Sequence, residues 1–421
     1  MDTPNELYVH FSDQLVGTIR LERERMRFTY SPDWTTSRDA FPISLSLPLS
    51  ADATDVDLDT SHNFFANLLP EATVRQRVCA KLKISIGNGF GLLAAIGGDC
   101  AGALTIRADA TPPQQSAEYR PIPSEQLDAW SSGRTMAFSD VTGQDGVRLS
   151  LAGAQDKLPV LVTEDDDFLL PESNSPSTHL LKFTSPFYSH LPENETFTTM
   201  LAEAVGLPVV KIRLHTVKAD AMAVIDRYDR IKKGSVWERL HQEDTCQVMG
   251  ISPLSKYEKE GGPSLADVAT MLRKHCSIPA LEIDKLIDWS IFNLLVGNSD
   301  AHGKNLSILL LPGGQITLAP FYDLVCTRNY DNLDRHLAMS IGGEYDPGQV
   351  GLKQFESMAE ELAVRESLIL STVEKMGRNL TKQMPKVIES FRARYGDSPI
   401  LERIPIKVTQ QVRRTATMTQ K

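Results

Sequence analysis

Gly297-Asn298-Ser299-Asp300-Ala301-His302-Gly303-Lys304-Asn305 is the stretch whose surroundings define the fold. Upstream, Ile283, Leu286, Ile287, Ile291, Leu294 and Leu295 recur at helical spacing, so a buried helix ends at the glycine and delivers the chain to Asp300. Downstream, an apolar segment (306–311), a turn at Pro312-Gly313-Gly314 and a second apolar segment (316–319) predict a hairpin leading into Pro320-Phe321-Tyr322-Asp323. That hairpin holds Asp300 and Asn305 on one side and Asp323 on the other.

Toward the N-terminus the pattern changes from helical to strand-like. Arg148-Leu149-Ser150-Leu151 reads as a strand, Ala152-Gly153-Ala154-Gln155-Asp156-Lys157 as a small-residue loop, and Leu158-Pro159-Val160-Leu161-Val162 as a second strand. Thr178-His179-Leu180-Leu181-Lys182-Phe183 predicts another strand with Lys182 near its end. Asn194 is placed to cap a helix through Glu195, Phe197 and Leu201 that stops at Gly206-Leu207-Pro208. Two strands, 209–217 and 221–228, then form a hairpin ending in Asp226-Arg227-Tyr228. Strands thus dominate 147–228 and helices dominate from about 265, the order of a sheet-rich lobe followed by a helical one.

At the outer ends the signals are coarser. Residues 7–106 predict a small α/β accessory unit, with strands at Leu7-Tyr8-Val9-His10-Phe11 and Arg27-Phe28-Thr29-Tyr30 and helices over 63–82 broken at Pro70. The Pro-, Gly- and Ser-rich stretch 108–146 has the composition of a connector. The expected division is therefore 1–107 accessory subdomain, 108–146 connector, 147–228 sheet-rich lobe and 229–421 helical lobe.

The 421 residues, 41% hydrophobic and 23% charged, suffice for a large core and exclude global disorder. No run approaches the ~18 apolar residues of a membrane span, and Met1-Asp2-Thr3-Pro4-Asn5-Glu6 lacks an export signal. No membrane is expected, and a cytoplasmic location is. The five scattered cysteines never form CxxC, which argues for buried thiols over disulfides or zinc. The net charge of −10 is uneven: residues 378–421 carry ten basic and three acidic side chains, a local +7 suited to phosphate backbones or to a solvated helix face.

Phosphoryl transfer from ATP needs a cover for the phosphates, a lysine, a carboxylate for the attacking hydroxyl and oxygen ligands for Mg2+. Asp300 and Asn305 have the Asp-to-Asn interval of the protein-kinase catalytic loop, Asp323 follows a hairpin, and Lys182 precedes the helix-borne Glu195 by thirteen residues. Asp226-Arg227-Tyr228 ends a strand where adenine would be contacted. Each piece alone has a structural explanation: Lys182 with Glu195 reads equally as a surface ion pair worth ~0–1 kcal/mol. The loop 152–157 has one glycine and matches neither the Walker pattern nor GxGxxG. His302 has no second histidine at ligand spacing, and Ser150 no GxSxG elbow. It is the order of all the parts that points to a kinase-like fold of α+β class.

In Leu149-Ser150-Leu151-Ala152-Gly153-Ala154-Gln155-Asp156-Lys157, Ser299-Asp300-Ala301-His302-Gly303-Lys304-Asn305 and Phe321-Tyr322-Asp323 the sequence closely resembles the HipA family of serine/threonine-kinase toxins. Ser44-Leu45-Ser46-Leu47-Pro48-Leu49, Asn63-Phe64-Phe65-Ala66-Asn67-Leu68-Leu69-Pro70 and Gln242-Glu243-Asp244-Thr245-Cys246-Gln247 extend the likeness to about Met339, and it is looser beyond. The resemblance implies that Asp300 is the catalytic aspartate, Asn305 and Asp323 the magnesium ligands, and Lys182 the lysine facing the α- and β-phosphates. It implies a phosphate loop at Ala152, Gly153, Ala154, Gln155, Asp156 and Lys157, and an adenine-binding hinge at Asp226 and Tyr228, with Arg227 between them. His302, Gly303, Lys304 and Tyr322 become nucleotide neighbours, and Ser150 the autophosphorylated serine. Family members are bacterial, phosphorylate aminoacyl-tRNA synthetases, notably the glutamyl enzyme, are restrained by the helix-turn-helix antitoxin HipB, and bind operator DNA in complex with it. Two other readings remain at this point: phosphorylation of a small molecule, and a catalytically idle, DNA-binding co-repressor.

Overall fold

The computed structural model describes residues 4–50, 56–113, 117–150, 152, 153, 155–185, 187–234 and 236–419. They fall into two compact units: Met1–Phe183 with Val224–Leu254 and Leu309–Gly314, and Thr184–Ala223 with Ser255–Ile308 and Gln315–Lys421.

The first unit opens with strands β1 (Glu6–Phe11), β2 (Gln14–Glu22) and β3 (Arg25–Tyr30), then helices α1 (Pro32–Thr35), α2 (Leu58–Ala66), α3 (Ala72–Leu82) and α4 (Gly89–Ile96), then β4 (Leu104–Arg107). The strands form an antiparallel sheet in the order β3-β2-β1-β4. Period-two alternation buries Leu7, Val9, Met26 and Phe28. The β2–β3 turn places Arg23 and Glu24 both at positive φ, 49° and 64°, which suits a tight hairpin twist although neither residue is glycine or asparagine.

The stretch expected as a connector is folded. It forms β5 (Tyr119–Pro121), α5 (Ser124–Ser131) and α6 (Ala137–Val141), and it buries Leu127, Trp130, Phe138 and Val141. β6 (Lys157–Val162), β7 (Phe168–Pro171) and β8 (His179–Lys182) continue a sheet in the order β5-β7-β6-β8. The strand predicted at 148–151 is not a regular one: Leu149 makes a single parallel bridge to Asp99 and Gly153 another to Pro70. Leu151 and Ala154 lie outside the described residues.

α7 (Leu191–Val205) leads in the second unit, followed by β9 (Ile212–Val217) and β10 (Asp220–Asp226); the unit boundary falls inside β10. Asn194 does not cap α7. The helix begins three residues earlier with Pro192 in its first turn, and Asn194 sits fully buried inside it, donating to Cys326 O and accepting from Cys326 N. Gly206 closes α7 at φ 100° as the Gly-Leu-Pro signal predicts.

Strands also continue past residue 228, where the sequence suggested an end: β11 (Arg230–Lys233), β12 (Val236–Arg239) and β13 (His241–Asp244) precede α8 (Thr245–Val248). The second unit then assembles α9 (Leu265–His275), started by a reciprocal Ser264/Asp267 cap, and α10 (Pro279–Val296). After these come β14 (Ser307–Leu311), β15 (Gln315–Leu318), α11 (Leu352–Glu361), α12 (Glu366–Tyr395) and α13 (Ile400–Met418). α10 is the central helix: Ile287, Trp289, Ile291, Phe292 and Leu294 bury several of its faces, and α9, α12 and α13 pack around it. Each such side chain contributes roughly 1.5–3 kcal/mol of burial. Among the described residues no helix is long and apolar enough to cross a membrane, and all five cysteines are buried free thiols.

Candidate active site

In the second unit the site grows from the end of α10. Gly297, at φ 73°, turns the chain out of the helix. Asn298 then braces the loop from within: its Nδ2 donates to Asn293 Oδ1 (2.9 Å) and to Asp323 O (3.5 Å), while its Oδ1 accepts from Asp300 N (3.2 Å). Ser299 N donates to Thr327 Oγ1 and Ser299 Oγ to Arg335 O. On this buried base Asp300 stands out, its side chain 56% exposed. Asn305 Nδ2 donates to Asp300 O at 2.8 Å, which fixes the amide and leaves its oxygen as an acceptor. Asp300, Asn305 and Asp323 are thus joined by one backbone-and-amide network running through Asn298.

Asp323 itself has φ 55°, a left-handed conformation that aspartate tolerates better than most residues. Two residues before it, Phe321 is pinned through both its N–H and its carbonyl, since Phe321 N donates to Pro208 O and Val210 N to Phe321 O. Tyr322 Oη donates to Lys304 O and lies 2.7 Å from Ser307 Oγ. His302 is buried, with its ring edge-on to Tyr257 at 5.2 Å and its Nε2 4.0 Å from Asp300 Oδ1. Burial, with Lys256 and Lys304 nearby, pushes the His302 imidazole down to about 3, which favours its neutral form. Tyr257, which sequence reasoning missed, donates its hydroxyl to Asp300 Oδ1 at 2.7 Å. It lies 43 residues away with no motif to announce it. Glu195 lies in α7 and is buried.

In the first unit, Lys157 and Lys182 are register partners across β6 and β8, so both side chains project from the same face of the sheet. Lys182 is buried, which removes the surface-ion-pair reading. Gly153 adopts φ 116°, and a Cβ there would stand 3.1 Å from Lys157 Nζ, so the loop backbone runs directly beneath that ammonium. Gln155 Nε2 lies 3.5 Å from Phe183 O, and Ala152 is half-buried. Ser150 is fully buried, its Oγ donating to Leu68 O at 2.8 Å.

Two residues read as nucleotide contacts point elsewhere. The Asp156 carboxylate accepts from Ala137 N (2.7 Å) and Phe138 N (3.1 Å), capping α6, and burial pushes it up to about 6. The Arg227 guanidinium is buried among Asp99, Asp229 and Ser177. In both cases the charged side chain is held by partners within its own unit. Asp226 remains half-exposed, 3.2 Å from His179 Nε2, and Tyr228 Oη bonds to Gln242 Oε1.

The second unit carries an exposed aspartate at the end of a buried helix, an amide five residues on and an aspartate beyond a hairpin, and the first unit a sheet with paired lysines, each by itself a part that a kinase-like phosphotransferase of α+β class needs. The relationship to known proteins specifies it further. Family models of the HipA N-terminal domain and of the HipA-like C-terminal domain match residues 7–107 and 149–384, and the chain belongs to the HipA family. It is 35% identical to the putative kinase Y4mE of Sinorhizobium fredii over 94% of this chain and 95% of that one. It is 32% identical to the serine/threonine-protein kinase toxin HipA of Shewanella oneidensis over 91% and 89%. A chain of the solved S. oneidensis toxin–antitoxin complex of HipA, HipB and its operator DNA aligns with a TM-score of 0.84 and 27% identity, covering 98% of both chains. The protein is therefore an ATP-using kinase.

Proposed function

We propose that this kinase transfers the γ-phosphate of ATP to a serine or threonine of a protein, acting in the cytoplasm of a bacterium as the toxin of a toxin–antitoxin pair. The observation that carries the reading is the Asp300–Asn305–Asp323 network, built on Asn298 and left open at Asp300. Asp300 orients the substrate hydroxyl and accepts its proton. An all-oxygen set of one carboxylate and one amide suits a hard divalent cation, so Asn305 and Asp323 are the residues to hold Mg2+, which when bound neutralises phosphate charge. Lys182, supported by Glu195, holds the α- and β-phosphates. Residues 152–157 cover the phosphates through their backbone and Lys157, and Asp226 and Tyr228 meet adenine, with Arg227 contributing only its main chain. His302, Gly303, Lys304 and Tyr322 shape the nucleotide side of the catalytic loop. The functional division is accessory subdomain 1–107, linking segment 108–146, nucleotide lobe 147–228 and catalytic lobe 229–421.

The toxin role, restraint by a HipB-like helix-turn-helix partner and operator binding through that complex are supported by the likeness to the S. oneidensis HipA toxin and its complex with HipB and operator DNA, and by the basic balance of 378–421. An aminoacyl-tRNA synthetase, glutamyl type first, is the substrate to test. Ser150 is the self-modification site. Since it is fully buried on Leu68 O, a phosphate of about −1.5 to −2 charges cannot stay there, and the loop must leave its seat. Dephosphorylated protein given magnesium and ATP is expected to gain one phosphate on the Ser150 peptide by mass spectrometry, while Asp300→Asn gains none. ATP binding without incorporation would overturn the self-modification, and no ATP binding the whole reading.

A further inference from the structure

The turn that joins α4 to β4 touches both chain segments that lead to the proposed nucleotide site. Asp99 N donates to Arg148 O (2.8 Å) and Ser150 N to Asp99 O (3.1 Å), so the main chain of Asp99 is one of the ties on the entrance of the 152–157 loop. The carboxylate of the same residue faces the other way. Its Oδ2 accepts from Ser177 Oγ (2.5 Å) and Arg227 Nη1 (3.2 Å), its Oδ1 accepts from Arg230 Nη2 (2.7 Å), and Arg239 Nη2 lies 3.2 Å away. Cys100 O accepts from Arg227 Nη2, Gly102 O from Arg230 Nη1, and Gly102 N donates to Asp229 Oδ2. Asp229 in turn takes Arg227 bidentately, at 3.0 and 2.7 Å. Arg227, Asp229 and Arg230 follow directly on Asp226, at the end of β10.

This cluster is dry: the side chains of Asp99, Arg227, Asp229 and Arg230 are each 4% exposed or less. Burial raises the Asp99 carboxyl, but the Arg230, Arg227 and Arg239 guanidiniums outweigh it and hold the group well below the usual carboxylate range. Three arginines against two aspartates leave one net positive charge, and a charge-assisted fork of this kind defines distance and angle more tightly than apolar packing does.

We propose that Asp99, on the N-terminal subdomain, is a positioning residue for the nucleotide, holding the entrance of the phosphate loop (148–150) and the exit of the adenine-side strand (227–230) in mutual register. The inference rests on the reading that 152–157 and 226–228 flank ATP. Asp99→Asn keeps the shape and removes the charge, leaving two net positive charges buried. Asp99→Asn with Arg239→Gln restores the wild-type balance of one while still lacking the carboxylate links to Arg227 and Arg230.

The measurement is the affinity for a non-hydrolysable ATP analogue with magnesium by calorimetry, with the KM for ATP, kcat and Tm of the whole chain alongside. Both variants are expected to bind the analogue about tenfold more weakly and to raise KM for ATP similarly, with kcat at saturating ATP within about threefold of the unchanged protein, because Asp300 and its network lie in the other unit. Tm is expected to recover in the double variant while KM does not. Affinity that recovers together with Tm, or never changes, would show a merely structural role and overturn the inference. Failure of the unchanged protein to bind the analogue would instead remove the nucleotide-site reading beneath it.

Discussion

Tyr257 gives Asp300 its direction. The carboxylate is half in water, so without a partner it would sample several rotamers, and the phenol at 2.7 Å, itself held edge-on to His302, selects one. A hydrogen bond to a charged group contributes about 1.5–3 kcal/mol, less where solvent screens it. Tyr257→Phe is therefore expected to lower kcat about three- to tenfold with KM for ATP nearly unchanged, read in a steady-state phosphorylation assay. A rise in KM with kcat intact would place Tyr257 in nucleotide binding instead. The candidate residues Asp300, Asn305, Asp323 and Lys182 were legible because each stands at a boundary that local pattern announces: helix end, hairpin start, hairpin end, strand end. Tyr257 and Asn298 were not, since a tyrosine in a polar loop and an asparagine after a glycine carry no signal until distant partners reach them. For Asp156 and Arg227 the converse holds: their motif positions are legible, but their side-chain directions follow from α6 and Asp99.

At the scale of elements, the junction of α10 with the Asp300 loop depends on Gly297. Its φ of 73° disfavours any Cβ, and one built there would approach Arg328 Cδ to 2.5 Å. Gly297 O also accepts from Thr327 Oγ1 and Arg328 N, so a shift would be felt at Ser299 and Asp300. Gly297→Ala is expected to cost about 1–2 kcal/mol, read by denaturant unfolding, and to reduce kcat. Unchanged stability would mean that the loop relaxes without strain. This helix end was legible from glycine and periodicity. The start of α7 was not, because the best capping residue in the sequence, Asn194, is instead consumed by Cys326 O and N, a contact 132 residues away. The β2–β3 turn lacked its usual Asn-Gly signal for a related reason: pairing of Glu22 with Arg25 in the finished sheet holds Arg23 and Glu24 at positive φ.

Across the whole first unit, buried polar ties join segments far apart in sequence. Glu243 accepts from Ser44 Oγ (2.5 Å) and Leu45 N (3.0 Å), linking residues nearly two hundred apart. Burial pushes its carboxyl up to about 8, against the pull of those two donors. The folded state thus holds a proton that the unfolded chain releases near 4.5, so this contribution to stability is complete below that value and is lost as pH rises through about 8. Glu243→Gln is expected to flatten the fall of Tm between pH 5 and 8.5, measured by scanning calorimetry. An equal fall in both proteins would show that the group is ionised throughout. The basic balance of 378–421 was legible as composition, yet which of its faces meets solvent depends on α12 and α13 packing against α10.

Local chemistry announced the end of α10, the hairpin after it and the stop of α7, and with them the candidate phosphate-transfer residues, because periodicities, helix-ending glycines and turn residues act over a few positions and are written in neighbours. The tertiary structure alone decided which charged side chains stay exposed and which are buried as struts. An aspartate or arginine looks the same in sequence whether it faces water or a counter-ion, and only the long-range pairing of Asp99 with Arg227 and Arg230 supplies the partner that makes burial affordable.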